Sequence, residues 1–189
     1  MKVIQISEKH STAYLGAGCF WCTEAVFQEL EGVICVSPGF SGGSVENPSY
    51  EQVCTGTTGH AEVARIVFDP ETISFGRILD VFFSVHDPTS LNRQGADVGE
   101  QYRSVIFYTD DEQFDVAKES IGTLTEQKVF DKPIVTALEK FTAFYPAEDY
   151  HHDYFRNNPD APYCQYVISP KVAKFRKKHG KLLKKPEQE

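Results

Sequence analysis

No stretch of the chain approaches the roughly 18 consecutive apolar residues that a membrane-spanning helix needs. The first ten residues lack the sustained apolar core of a secretory signal. A soluble cytoplasmic protein with no membrane partner is therefore the expectation. Self-similar periods and low-complexity runs are also missing, so the 189 residues are read as one domain, 1–189, around one core. There is no second C-x-x-C and no H-x3-H, the usual halves of a four-ligand zinc site. His151 and His152 are adjacent, and neighbouring helical side chains diverge by about 100°, too far apart to clasp one ion. Neither a metal nor any other cofactor is expected. Five cysteines, an odd number, with no secretory leader argue against a disulfide framework and for reduced, redox-active thiols.

Positive charge is scarce over most of the chain and crowded at its end. The net charge is −8, yet residues 171–189 hold eight Lys and Arg against two Glu, which leaves −14 on the first 170. The short basic tail, about 171–189, is read as a solvated helix pinned by Val172 and Phe175. It is not read as a nucleic-acid contact, because the acidic body repels phosphate.

Strand character is expected at residues 13–17, 33–37, 61–68 and 102–108, with a strand or hairpin at 134–144. Helices are expected at 23–30, at 73–85 behind a Ser74 cap, at 109–127 behind a Thr109/Glu112 capping box, and at 148–157. Residues 38–59 and 88–101 read as long polar loops of the kind that carry function, and 159–170 as irregular. This order predicts an α+β two-layer sandwich with a mixed, largely antiparallel sheet and a split βαβ core, rather than a doubly wound sheet.

Gly18, Cys19, Phe20, Trp21 and Cys22 are consecutive and stand where a strand gives way to a helix. Unpaired N–H groups and the helix dipole at that point favour a thiolate, so Cys19 is a candidate nucleophile. Phe20 and Trp21 would wall an apolar pocket beside it. Cys22 completes a C-x-x-C that reads as a redox dithiol, as half a metal site, or as a packing cysteine. By the two-residue period Glu62 shares a strand face with Ala64, Ile66 and Phe68. Desolvation there would keep its carboxyl protonated for acid catalysis, while a salt bridge is the plain alternative. Tyr50, Tyr102 and Asp97 sit in or beside the long loops. Cys164 falls in the irregular stretch, where it would be mobile, and Cys35 and Cys54 read as small buried hydrophobes.

Four spaced motifs then resemble one family. Residues 18–24 (GCFWCTE), 59–62 (GHAE), 99–104 (GEQYRS) and 146–151 (PAEDYH) together are similar to peptide methionine sulfoxide reductase A. The resemblance implies reduction of the S-epimer of methionine sulfoxide, free or in proteins, with thioredoxin as the reducing partner. Residue by residue, it implies Cys19 as nucleophile, Phe20 and Trp21 around the substrate methyl, and Glu62 as proton donor. Tyr50 and Tyr102, with Asp97 nearby, would bind the sulfoxide oxygen. Cys164 would resolve a Cys19 sulfenic acid into a Cys19–Cys164 disulfide; His151 and Tyr154 match positions without an assigned role. Cys22 stands where many members carry glycine, which keeps open a general thiol-disulfide oxidoreductase using Cys19 and Cys22.

Overall fold

The computed structural model describes residues 9–185. Residues 186–189 of the expected basic tail, and most of the ten residues read for a leader, lie outside them. Strand β1 (Ser11–Ala17) alternates so that Ala13, Leu15 and Ala17 turn one way and are buried. It pairs antiparallel with β3 (Ala61–Phe68) on one side and β6 (Ser104–Tyr108) on the other. Beyond β3 come β2 (Val33–Ser41) and the short β8 (Tyr145–Pro146); beyond β6 comes β7 (Ala137–Lys140), the single parallel neighbour. The six-stranded order is β7-β6-β1-β3-β2-β8, an α+β arrangement with a mixed, mostly antiparallel sheet. A two-stranded ribbon, β4 (Arg93–Gln94) and β5 (Asp97–Val98), lies apart from it.

Helices cover one face. α1 (Phe20–Phe27) and α3 (Phe75–Val85) bury Val26, Phe27, Ile78, Leu79 and Phe82 against Leu15, Ala64 and Ile66 in the main core. The expected Ser74 cap is in place, its hydroxyl accepting from the Arg77 N–H. The opposite face is covered by Phe141 and Phe144, packed with Tyr14, Val63 and Phe107. Among the described residues no helix is long and apolar enough to cross a membrane.

Four local expectations need correction. Residues 38–59 are not one loop: β2 runs on to Ser41, and α2 (Tyr50–Cys54) starts at a Ser49/Gln52 capping box. α4 (Asp111–Glu126) is capped by Asp110, which accepts from the Gln113 N–H at 2.8 Å, rather than by Thr109. The helix expected at 148–157 is split into a 3-10 turn (Asp149–His151) and α5 (Tyr154–Asn157) by Asp153, which is left-handed at φ 52°. Of residues 159–170, expected to be mostly irregular, only 159–161 are turn and bend, and the rest are helical. A π-helical turn, Cys164–Ile168, leads straight into α6 (Ser169–His179), which Val172 and Phe175 pin to the core as expected.

Gly18 joins β1 to α1 with φ of +86°, and a Cβ there would lie 2.6 Å from the Gln94 side chain. Gln94 cannot retreat easily, because its amide holds both the N–H and the carbonyl of Asp87. Gly18→Ala is therefore expected to destabilise the fold by at least about 1–2 kcal/mol, the cost of left-handed backbone for a residue with a Cβ. Urea unfolding would show it as a lower midpoint with an unchanged slope.

Candidate active site

Cys19 is the N-cap residue of α1, so the first free backbone donor of that helix is the Phe20 N–H. That donor goes to Glu62 Oε2, 3.0 Å away. Glu62 reaches it from β3, where Phe40 of β2 stands directly opposite and packs its ring on Phe20 at 5.7 Å. The face read from the two-residue period is the observed one: Ala64, Ile66 and Phe68 lie in the main core and Glu62 is 1 % exposed. Burial pushes the Glu62 carboxyl up to about 8, so it holds its proton at neutral pH.

The thiols behave differently from the simple helix-start expectation. Burial pushes Cys19 well above the usual thiol range, with the Cys22 hydrogen bond and the Glu62 charge adding to it. The Phe20 N–H, which could have supported a Cys19 thiolate, is bonded to Glu62 Oε2 instead. Cys22 moves the other way, to about 7, mainly because the Cys19 thiol donates to it. The two therefore titrate as a pair, and the first proton leaves a thiolate shared between them.

Tyr163 is the residue that sequence reasoning missed. Its hydroxyl donates to Asp97 Oδ2 at 2.7 Å and sits beside the Cys19 and Cys22 sulfurs, where its single proton can turn to a thiolate, and this proximity draws both thiols down. Asp97 acts on Tyr102 and on Glu62, near which it was expected, and its hydrogen bond goes to Tyr163, orienting the phenol that sits on the thiol pair. Tyr163→Phe is expected to raise the pH at which iodoacetamide alkylates the pair, since the hydroxyl no longer supports the thiolate. A pH profile of alkylation rates checks this.

Tyr50, on α2, and Tyr102, on the 3-10 turn Glu100–Tyr102, are half-buried near Glu62. Burial and then the Glu62 charge push both phenols up, so they remain proton donors. Phe20 is fully buried with Phe40, Val53 and Ala147, and Tyr50 packs on this cluster. Trp21 stacks flat on Tyr154 at 3.7 Å and donates from Nε1 to His151 Nδ1 at 3.0 Å. Accepting at Nδ1 places the His151 proton on Nε2 in the neutral ring, 3.8 Å from Glu148. Burial pushes the pKa of that ring down, against the pull of the Glu148 charge. Glu148 in turn accepts from the Tyr50 N–H at 2.9 Å, tying α2 to the segment that carries His151.

All five cysteines are free. Cys164 is fully buried in the π-helical turn, not mobile in a loop as expected. Cys54 is exposed and Cys35 half-buried, so neither is the buried hydrophobe expected. Cys54 bonds Tyr50 and lies in the field of Glu62, at the edge of the site. A cavity of about 510 Å³ reaches Cys19 past Tyr163, Asp97 and Gln94, with Lys171 and Lys174 also lining it. Glu62, Tyr50 and Tyr102 do not line it. Among the described residues no group of three or more His, Cys, Asp or Glu side chains is arranged to hold a metal ion. The arrangement is a thiol pair beside a neutral carboxylic acid within an aromatic wall, suited to attack on an electrophilic atom whose leaving group needs a proton.

A sequence profile of the family described as peptide methionine sulfoxide reductase matches residues 11–183. Peptide methionine sulfoxide reductase MsrA of Saccharolobus solfataricus is 58 % identical over 165 residues, covering 87 % of this chain and 92 % of that protein. The protein of the same name from Deinococcus radiodurans is 55 % identical over 172 residues, 91 % of this chain and 84 % of its own. Among solved structures, Mxr1 of Saccharomyces cerevisiae in reduced form superposes with a TM-score of 0.77 at 31 % identity, over 86 % of this chain and 94 % of that one. Methionine sulfoxide reductase A of Corynebacterium diphtheriae does so with a TM-score of 0.71 at 33 % identity, over 81 % and 77 %. With this match spanning the sheet and the whole thiol–carboxyl site, the chain belongs to the peptide methionine sulfoxide reductase A family.

Proposed function

We propose that this chain reduces the S-epimer of methionine sulfoxide, free or in proteins, through attack of Cys19 on the sulfoxide sulfur while Glu62 protonates its oxygen. The observation that carries this reading is the Glu62 carboxyl, desolvated into its neutral form and fixed on the N–H of the residue after Cys19. Sulfoxide oxygen leaves poorly until it is protonated, and a thiolate cannot supply that proton itself. Tyr50 and Tyr102 are phenols held protonated beside Glu62 and serve as donors to the same oxygen. Phe20 and Trp21 give the substrate methyl an apolar wall. Asp97 acts through Tyr163, orienting the phenol on the thiols.

In the first half-reaction the methionine sulfur gains two electrons and Cys19 loses two, so the products are methionine and a Cys19 sulfenic acid. A second thiol condenses with the sulfenic acid, releasing water, and Cys164 is the partner in the disulfide that thioredoxin then reduces. Five free cysteines suit the cytoplasm, the compartment we assign, where such exchange keeps thiols reduced. The alternative, a general thiol-disulfide oxidoreductase on Cys19 and Cys22, draws on their shared hydrogen bond but gives Glu62 no task. The test is NADPH oxidation coupled through thioredoxin and its reductase, run with each sulfoxide epimer separately. Turnover with the S-epimer alone is expected; equal turnover of both epimers, or of neither, overturns the reading.

A further inference from the structure

Two thiols other than Cys19 belong to the chemistry of this site, and the fold treats them very differently. Cys22 is in contact with Cys19 already: its N–H donates to the Cys19 carbonyl at 3.1 Å, and the side chains share a hydrogen bond. A turn closed in that way holds the two Cα atoms within about 7 Å. Disulfides span Cα separations of about 4.4–6.8 Å, so the separation of these two residues at the start of α1 is within reach of a bond. Cys164 is fully buried in the π-helical turn, with Cys22 the one thiol whose charge acts on it and with the Gln165 N–H bonded to the Ala161 carbonyl. To leave its place it must open that helical turn, a local unfolding event.

Resting on the reading of Cys19 as the nucleophile, we propose that Cys22 captures the Cys19 sulfenic acid first, so that a Cys19–Cys22 disulfide precedes any bond to Cys164. The Cys22 sulfur attacks the Cys19 sulfur, the S–O bond breaks, and the hydroxyl leaves as water with the Cys22 proton. Cys164 then attacks Cys19, forming the Cys19–Cys164 disulfide and expelling Cys22, which takes up the Cys164 proton. Thiols of low pKa leave fastest in such exchange, and the Lys171 charge and the Tyr163 hydroxyl both favour the departing Cys22 thiolate. Cys22 thus protects the sulfenic acid from further oxidation during the time the buried turn needs to open.

The experiment is one stoichiometric turnover of the reduced full chain with methionine sulfoxide and no reductant, acid-quenched at successive times and mapped by mass spectrometry. Wild type is expected to show Cys19–Cys22 in the earliest samples and Cys19–Cys164 later. Cys164→Ser should stop at Cys19–Cys22. In Cys22→Ser and Cys22→Ala the sulfenic acid, trapped by a cyclic 1,3-dione, should live about tenfold longer or more, the effect of one 1.4 kcal/mol change in barrier. Cys19–Cys164 as the first disulfide in wild type, or an unchanged sulfenic lifetime in both Cys22 variants, overturns the proposal. Absence of any trapped sulfenic acid in the Cys22 variants, together with absence of any disulfide at Cys19 in wild type, would instead sink the assignment of Cys19 itself.

Discussion

Cys19→Ser is expected to release no methionine above background from methionine sulfoxide, a loss of at least about four orders of magnitude, the scale on which removal of a nucleophile costs an enzyme. A hydroxyl in this position stays protonated, because the surroundings that already push the Cys19 thiol up would push a far weaker acid higher still. Serine is nearly isosteric, and the Phe20 N–H to Glu62 bond that fixes the start of α1 does not involve the sulfur. Folding should therefore survive, and the loss should be chemical. Chromatographic counting of methionine per protein molecule in a single turnover checks this. One methionine per molecule from Cys19→Ser would move the nucleophile to another thiol.

Glu62→Gln carries the second large effect. The amide accepts the Phe20 N–H as the carboxyl does, but it delivers no proton, so the reductase step is expected to slow by about 10²–10⁴-fold, the usual contribution of a general acid. In wild type the same step should fall as pH rises through about 8, where Glu62 ionises. The glutamine variant should lack that limb. Stability gives an independent reading of the same group. The Glu62 pKa is raised from 4.5 to about 8 on folding, so between those values the native state holds a proton that the unfolded chain has lost. Stability from this group is full below the lower value and declines as pH rises through the upper one. Glu62→Gln should therefore gain on wild type in urea midpoint as pH increases across that window. A constant difference would mean that the carboxyl is ionised in the folded protein.

Part of this site was readable along the chain. The alternation of 61–68 put Glu62 on the core face, and the change from strand to helix put Cys19 at a helix start, because both rest on periodicities of 2.0 and 3.6 that any backbone obeys. What was not readable are pairings across the fold. Tyr163 and Asp97 are 66 residues apart, and Trp21 and His151 are 130 apart, so no local pattern announces either bond. Cys164 was misplaced for a definite reason. Prolines at 159, 162 and 170 read as breakers, yet Pro162 opens the helical segment and Pro170 is accommodated directly after the π-helical turn, in the first turn of α6. The wider π-helical turn before Pro170 gives its ring room.

The order of residues determined which groups exist and which local shape each one takes: a thiol at the start of a helix, a carboxyl on an apolar strand face, aromatic rings beside them. Tertiary structure alone decided their protonation. A side chain's charge depends on how much water and how many dipoles surround it, and those neighbours come from distant parts of the chain. Hence Glu62 is neutral, Cys19 is pushed up rather than down, and Cys22, not Cys164, is the thiol that lies against it.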